Sequence, residues 1–532
     1  MKCRSHARRL ASVSMVVTTL ALGAAVSGCR TTPDDVHRWA NTAQGPRKLV
    51  AVLTHDKYAM DLRVESAMTL VSMKPRAGRR VGIGNLVDAL NALPEAERGK
   101  IVAGMVPRLD EEIRKPPSGA AEQRNDTSIP FKDAAYALLT NDAGPLVTDK
   151  SLVEKLRVAL TQWAVTDFSA RMDDSSQAYG MEQVLRMLGS AGVKGLPALI
   201  QLDAPKIDRI SDLIADLGDP ATKLEASKRL VQVASEINSD KWTKARAPKL
   251  EAANAASKLK PTKEQFAKQL EQYQEEELLR IFGSMKKIGQ APIAEYLLNF
   301  ASDKNQSEKR RATALVALEG QINKDDKAQV DKILALATAE DTPDTVRDAA
   351  LRRVGEMPRK LVVDRLYSVF DSKEWKVRWV AAELVLKMSD SSQIDEFMTH
   401  LGRVHNMSIT EPLRYGKLVG ELKKVKVDPV EAIDRYADSR YSPSVRLSAL
   451  GYYYEGGTKN DVPKVDRYSS DTTKVPECLP DAKECEWKCT LDSGGKQEEK
   501  AVATIGDFVS FCVKPALEKR LPTAAKKPAG GN

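Results

Sequence analysis

Histidine and cysteine are the side chains of this sequence whose chemistry depends most on spacing, and both are scarce. The 532 residues include five histidines and six cysteines. His400 and His405 are five residues apart, which puts them about 140° apart around a helix, so they do not face one ligand together. His37 and His55 are isolated, and the sequence has no nucleophile elbow or HExxH pattern. We therefore expect no enzyme activity, no cofactor and no metal site.

Four cysteines lie close together near the carboxyl end. They are Cys478, Cys485, Cys489 and Cys512. An even number of cysteines in a short stretch indicates disulfides in an oxidising compartment, and two bridges allow three pairings between which the sequence does not choose. The absence of C-x2-C pairs argues against zinc. EWKCTL and KAVATIGDFVSFCV predict short strands. We expect residues 461–518 to form a small disulfide-containing cap that is partly β.

The first 28 residues have the layout of a secretory leader. Four basic residues and no acid precede an apolar run from Leu10 to Val26. That run is short for a helix that crosses about 30 Å of hydrocarbon. The stretch Val26-Ser27-Gly28-Cys29 then resembles the lipobox of bacterial lipoproteins.

This resemblance implies cleavage between Gly28 and Cys29 and acylation of the Cys29 thiol. Residues 1–28 would be the signal peptide and residues 29–45 the acylated tether to a membrane. Arg30 stands where an aspartate would favour retention in the inner membrane, so the outer membrane is favoured. We expect a cell-envelope protein that faces the periplasm or the cell surface.

The composition favours helix and gives no reason to expect a nucleic-acid partner. Lysine and arginine number 82 against 73 acids, a net charge of +9, and four of these positive charges lie in the leader. The remainder, close to +5, is mild for the length. Acidic and basic residues alternate along most segments, as they do on solvated helix faces.

A Val-Arg-x-x-Ala pattern recurs in the second half of the chain. The copies are TVRDAALRRVGEM from Thr345, KVRWVAAELVLKM from Lys376 and SVRLSALGYYYEG from Ser444. In the second copy the apolar residues follow one helix face. Looser copies surround other basic residues: Arg63, Lys132, Lys223, Arg311 and Arg414. From Arg311 the basic positions recur every 31 to 36 residues, a period of two helices and two turns.

These patterns resemble the HEAT-repeat family over roughly residues 34–460, most clearly from about residue 270. Glycine after one helix and proline in the next, as at Gly289 and Pro292, add to the resemblance. It implies an all-α fold, an α-α superhelix (a HEAT-like solenoid), in which the second helix of each pair carries a basic residue that faces an aspartate of the preceding turn. The expected structural ladder is Arg63, Lys223, Arg311, Arg347, Arg378 and Arg446, opposite Asp56, Asp219, Asp303, Asp341, Asp371 and Asp438.

The repeat pattern suggests the domain boundaries. Residues 46–237 would form irregular repeats and residues 264–460 regular ones, with a disordered tail at 519–532. Residues 238–263 contain seven basic residues, two acids and two prolines, and we interpret them as a basic insert or linker, a solvated loop plus a helix. A contact for an acidic partner or anionic headgroups is the alternative. Trp242 is a candidate interface residue there, because exposed tryptophans favour interfaces.

The leading hypothesis is a membrane-anchored scaffold that binds one or more unknown envelope proteins on the broad surface of stacked helix pairs. The first alternative is a module that binds an envelope polymer or anionic glycan through the basic insert and the cap. The second is an enzyme whose site is assembled across repeats, for which the sequence gives no positive sign.

Overall fold

The computed structural model describes residues 31–76, 79–119, 124–339, 341–371, 375–477, 487–493 and 496–520. This part of the chain is helical apart from one two-stranded hairpin, and it divides between Gly195 and Leu196 into two compact units. The predicted cleavage and acylation site at Gly28 and Cys29 lies outside the described residues. So do Cys478, Cys485 and the side chain of Asp371.

Unit 1 is built from helices that alternate between two layers. Its helices are α1 (Pro33–Trp39), α2 (Gly45–Thr54), α3 (Met60–Ser72), α4 (Val81–Ala92), α5 (Glu95–Ile113), α6 (Ile129–Thr140), α7 (Lys150–Val165), α8 (Phe168–Asp173), α9 (Met181–Leu188) and α10 (Ser190–Val193). Helices α2, α4 and α6 contact one another in that order, and α3, α5 and α7 form the second layer. The pairing is regular although the sequence spacing is uneven, because the linkers differ greatly in length: two residues join α4 to α5, whereas residues 114–128 join α5 to α6.

Unit 2 repeats this arrangement over a longer stretch. Its helices are α11 (Ile207–Leu217), α12 (Pro220–Ile237), α13 (Asp240–Ala256), α14 (Lys263–Ile288), α15 (Ala291–Ser302), α16 (Glu308–Ala317), α17 (Lys327–Thr338), α18 (Asp344–Val354), α19 (Arg359–Ser368), α20 (Trp375–Lys387), α21 (Ile394–Leu401), α22 (Thr410–Gly420), α23 (Pro429–Asp434), α24 (Pro443–Gly456), α25 (Val462–Asp466), α26 (Ile505–Phe508) and α27 (Lys514–Glu518). Helices α15, α17 and α19 pack in sequence in one layer, and α14, α16, α18, α20, α22 and α24 pack in sequence in the other. The prediction of an all-α fold of stacked helix pairs is confirmed.

Local sequence signals set the helix ends. Thr262 and Gln265 form a capping box at the start of α14, each satisfying a backbone N–H of the other. Gly289 ends that helix in the left-handed region (φ 61°), and Pro292 lies in the first turn of α15. The predicted apolar face of α20 is also present, since Val377, Ala381 and Val385 are buried.

The carboxyl-terminal cap packs against the last repeats of unit 2. Strands β1 (Lys488–Ser493) and β2 (Lys496–Ala501) form an antiparallel hairpin. A disulfide joins Cys489 to Cys512, 23 residues further along the chain. The indole of Trp487 donates to the carbonyl of Met407 at 3.1 Å, and α27 contacts α24. The prediction of a partly β, disulfide-containing cap is therefore confirmed, but the predicted strand from Lys500 is wrong beyond Ala501, because residues 505–513 are helical. No helix among the residues that the structure describes is both long enough and apolar enough to span a bilayer.

Candidate functional site

The ladder arginines are buried, and most of them cap the preceding helix. Each donates to a backbone carbonyl at or just past the carboxyl end of that helix: Arg63 to Leu53 at 2.8 Å, Arg311 to Ala301 at 2.8 Å, Arg347 to Ala339 at 3.1 Å and Arg446 to Ala437 at 3.0 Å. The last carbonyls of a helix lack intrahelical partners and carry partial negative charge. The arginine therefore holds the two helices of one pair together.

In the described structure Asp303 and Asp438 form no ion pair or hydrogen bond with Arg311 and Arg446, the ladder arginines predicted to face them, although the hydrogen bond from Gln306 and the charge of Arg311 help to lower the pKa of Asp303. Asp303 accepts from the backbone N–H of Asn305 and the side chain of Gln306, both at 3.0 Å, while Arg311 donates to Ala301 instead. Asp438 likewise accepts from the backbone N–H of Arg440 at 3.1 Å. A carboxylate in a tight turn satisfies nearby backbone donors first, and this local use competes with a ladder role.

Two ladder positions depart from the arginine-to-carbonyl pattern. Arg378 reaches forward along the chain, and its Nη2 donates to the carbonyl of Asn406 at 2.9 Å and to Glu411 Oε2 at 3.3 Å. Lys223 is half-buried on α12, and in the described part of the chain its amine has no ion pair or hydrogen bond. The ladder therefore has no equivalent contact at Lys223.

Contacts between successive repeats come from residues about one period apart. The pairs are Arg63 with Glu97 at 2.8 Å, Arg359 with Glu396 at 2.5 Å and Arg414 with Glu383 at 3.0 Å. Each links two neighbouring helices of the same layer. Partly exposed pairs contribute little stability singly, so their main effect is on register.

Unit 1 contains a buried charged cluster that the sequence interpretation missed. Lys132 donates to Asp133 Oδ1 at 2.6 Å, and Arg80 Nε forms an ion pair with Asp133 Oδ2 at 2.9 Å. Asp133 also accepts from the backbone N–H groups of Ala178 at 2.9 Å and Tyr179 at 3.2 Å. Burial lowers the pKa of the Lys132 ammonium, against the opposing effect of Asp133.

This cluster fixes a loop of unit 1 and offers no access to a ligand. Lys132 and Asp133 are inaccessible to solvent, and apart from Arg80 their ion-pair and hydrogen-bond partners outside α6 lie in the segment between α8 and α9. The signal in the sequence was the Lys-Asp pair inside the apolar stretch PFKDAAYALL. The prediction that Lys132 lies on the second helix of a pair is wrong, because α6 belongs to the layer of α2 and α4.

The described histidines lie apart. His37 Nε2 is 2.6 Å from Glu65 Oε1, beside Arg108, in an open cleft of about 210 Å³. Burial tends to raise the pKa of Glu65, but its hydrogen bonds with Arg108 and His37 and their charges hold it below its usual value. His400 stacks on Tyr367 with ring centroids 3.8 Å apart, whereas His405 is exposed after the end of α21.

A cleft between α17 and α19 is the clearest candidate binding surface of the repeats in unit 2. These helices are equivalent members of successive pairs, and the cleft has a volume of about 630 Å³. It is lined by Lys327, Asp331, Leu334, Leu361, Asp364, Arg365 and Ser368. The Leu361 side chain is 41% exposed, and Asp364 and Arg365 are exposed beside it without ion-pair partners in the described structure. An apolar side chain between charges of both signs suits a protein segment.

The segment 238–263 forms a helix and an exposed turn, in keeping with its sequence interpretation, but the expected exposure of Trp242 is wrong. Most of it is helix α13, capped by Ser239, and it packs against α14. Trp242 is buried rather than exposed and lies against Tyr273, with ring centroids 5.8 Å apart. Trp242 is therefore a core residue of the α13–α14 hairpin, which excludes it as an interface residue.

The comparisons with known proteins give no further assignment. No protein-family model and no curated protein sequence matches the chain, so the resemblance to HEAT repeats and to bacterial lipoproteins stays a prediction from the residues.

Proposed function

We propose that this protein is a lipid-anchored scaffold of the cell envelope that binds a protein segment in the α17–α19 cleft. The observation that supports this proposal is the exposed Leu361 between two helices that are equivalent in successive repeats. Stacked helix pairs present such clefts to partners as a general property of repeat proteins. Anchoring rests on the lipobox resemblance at Cys29.

The chemistry of the cleft defines the partner. Leu361 offers an apolar contact, and Arg365 and Asp364 offer one charge of each sign without a competing internal ion pair in the described residues. Lys327 and Asp331 pair with each other at one edge of the cleft. A segment with an apolar anchor flanked by an acid and a base would complement this arrangement, and burial of the apolar anchor would supply most of the affinity.

Site-specific photocrosslinking in intact cells tests the cleft. A photoreactive residue at Arg365 should give a discrete protein adduct, and a Leu361→Asp change should abolish it. Val316→Asp is the matched control, because Val316 is also exposed but lies on α16 in the other layer. An adduct that survives Leu361→Asp, or the lack of any adduct, would reject the cleft as the partner site.

The anchor is tested separately. Mass spectrometry of the mature amino terminus should show an acylated peptide that begins at Cys29, and Cys29→Ala should remove the acylation. An unmodified peptide, or one that begins elsewhere, would reject the lipoprotein assignment and leave the cleft untouched.

A further inference from the structure

One part of the α13–α14 hairpin packs in the core, and the other part is exposed to solvent. Helix α14 has 26 residues, a length of about 39 Å, but most of its buried side chains lie after residue 277. Before that point Leu270 is its only buried residue, and in α13 only Trp242 and Asn254 are buried. The carboxyl half of α14 therefore packs in the repeat array, and the residues around the turn from 257 to 262 form an exposed tip.

The tip displays an apolar side chain in a fixed backbone. Leu259 is 56% exposed, and no other large apolar side chain in the described chain is more exposed. Its N–H donates to the carbonyl of Asn254 at 2.8 Å, and the Asn254 amide donates to Gln269 on α14 at 3.0 Å. Lys258 adopts a left-handed conformation (φ 57°) to make the turn. The turn is therefore tied to both helices and holds Leu259 outward.

Unpaired positive charges surround this leucine. Four exposed lysines of the tip have no carboxylate within ion-pair distance in the described structure: Lys258, Lys260, Lys263 and Lys268. Leu259, Pro261 and Phe266 also line a shallow cavity of about 350 Å³, together with polar residues that include Glu251 and Lys263. Between Ser257 and Lys263 the chain has three lysines and no acid, so the lysines leave a net positive charge around the most exposed apolar side chain of the hairpin, although Glu251 and Glu264 lie nearby.

We propose that this tip docks on an anionic phospholipid surface, with Leu259 in the interfacial region and the lysines against lipid phosphates. A lysine is a point charge on a flexible stem, so it suits headgroups of variable position better than the fixed geometry of a carboxylate partner. A leucine among lysines combines the apolar burial and the electrostatic attraction that hold peripheral segments at membranes. This contact depends neither on the α17–α19 cleft nor on a lipid at Cys29.

Vesicle co-sedimentation tests the proposal with the chain from residue 30 to 532, produced without its leader and so without lipid. It should bind phosphatidylcholine vesicles that contain phosphatidylglycerol, and not pure phosphatidylcholine vesicles. Replacing Lys258, Lys260 and Lys263 together by glutamate should weaken binding by more than about tenfold. Leu259→Ser should weaken it even at low salt, because it removes the inserted side chain.

The matched control carries the same charge change elsewhere. Lys324, Lys360 and Lys459 are exposed and free of ion pairs in the described chain, so their joint replacement by glutamate should leave vesicle binding within about twofold. Circular dichroism should show equal helix content in both triple variants. Equal losses in the two variants, no binding to anionic vesicles, or binding to a soluble anionic polysaccharide or an acidic protein in place of vesicles would overturn the proposal. Leu361→Asp should not change vesicle binding, which separates this test from that of the cleft.

Discussion

Arg378 and Glu411 form a buried ion pair between neighbouring helices α20 and α22, with 3.3 Å between Nη2 and Oε2. The two side chains are 2% and 0% exposed. Glu411 also accepts from the backbone N–H of Ser408 at 2.9 Å and the hydroxyl of Tyr415 at 3.2 Å. Burial raises the pKa of Glu411, although Arg378 and these hydrogen bonds oppose the rise.

The raised pKa predicts a pH dependence of stability with a definite sign. Above the unfolded-state value of 4.5 the folded chain keeps a proton that the unfolded chain has lost, so this group's contribution to the free energy of unfolding falls as the pH rises through the folded pKa. Glu411→Gln removes the titration. Relative to wild type, the variant should therefore be more stable at neutral pH than at pH 4.5, as measured by urea unfolding.

Glu319→Gln is the control for this comparison. Glu319 lies on the surface, and its hydrogen bond with Lys286, together with the lysine's charge, lowers its pKa. Its stabilising contribution is present above 4.5 and is lost as the pH falls, so its replacement should produce the opposite trend. If the two variants followed the same trend, burial would not be the cause of the Glu411 effect.

The sequence predicted that these helices are neighbours and that Arg378 is a structural residue, but it did not predict Glu411 as the partner of Arg378. The 31- to 36-residue recurrence identified the helix pairs, because apolar faces must bury against neighbours and so leave a periodic trace. The partner of each arginine left no such trace. A backbone carbonyl has no side-chain identity, and Glu411 immediately precedes the degenerate copy PLRYGKLVGEL, where the repeat signal is weakest.

The buried cluster of unit 1 predicts that replacing Asp133 destabilises the chain more than replacing Lys132, although both side chains are inaccessible to solvent. Asp133→Asn removes the carboxylate shared by the buried Lys132 and the partly buried Arg80 and should cost about 3–5 kcal/mol. Lys132→Met leaves Asp133 paired with Arg80 and two backbone donors and should cost clearly less. Urea unfolding of the two variants measures the difference in stability. Equal losses of stability would contradict this prediction, because they would show that Arg80 and the backbone donors do not compensate for the loss of Lys132.

The cluster also shows that a single sequence does not reveal contacts between segments that are distant along the chain. In the sequence Lys132 is only a basic residue in a loose repeat copy, and apart from Asp133 its hydrogen-bond partners Gln177 and Tyr179 lie 45 and 47 residues away, near the end of the segment between α8 and α9. The prediction that Trp242 is exposed is wrong for the same reason, because the burial of this side chain depends on its packing against α14. Exposure is a property of the packed hairpin, and the local sequence around a residue does not determine it.

The close contact between α22 and α24 predicts that the stability of the chain depends strongly on the glycines at this contact. A Cβ built on Gly416 would overlap the backbone of α24 at Ser448 and Tyr452, and one on Gly451 would overlap Pro412 of α22. Gly416→Ala should therefore force the helices apart and cost about 1–3 kcal/mol or more. Thermal unfolding of the full chain measures the loss.

Gly283 provides the matched control for the same chemical change. It lies inside α14, and a Cβ there would meet nothing within 4 Å. Gly283→Ala should stabilise the chain by about 1 kcal/mol, because alanine loses less backbone entropy in a helix. If Gly283→Ala also destabilised the chain, helix propensity would not determine the effect of this change on stability.

The cap predicts a local effect of its disulfide. The bridge between Cys489 and Cys512 closes a loop of about 23 residues, so replacing both cysteines by serine should cost about 3 kcal/mol, mainly by freeing the unfolded chain. Trp487 would keep its hydrogen bond to Met407 less often, and Arg446 would lose the order of its partners Asp471 and Thr473 at the other edge of the cap. Limited proteolysis should then cleave within residues 461–518 while α14 to α22 stay protected.

Non-reducing peptide mapping of the wild type should show Cys489 linked to Cys512. If all four cysteines form two bridges, Cys478 and Cys485 must pair with each other, and a peptide that links either of them to Cys489 or Cys512 would contradict this arrangement.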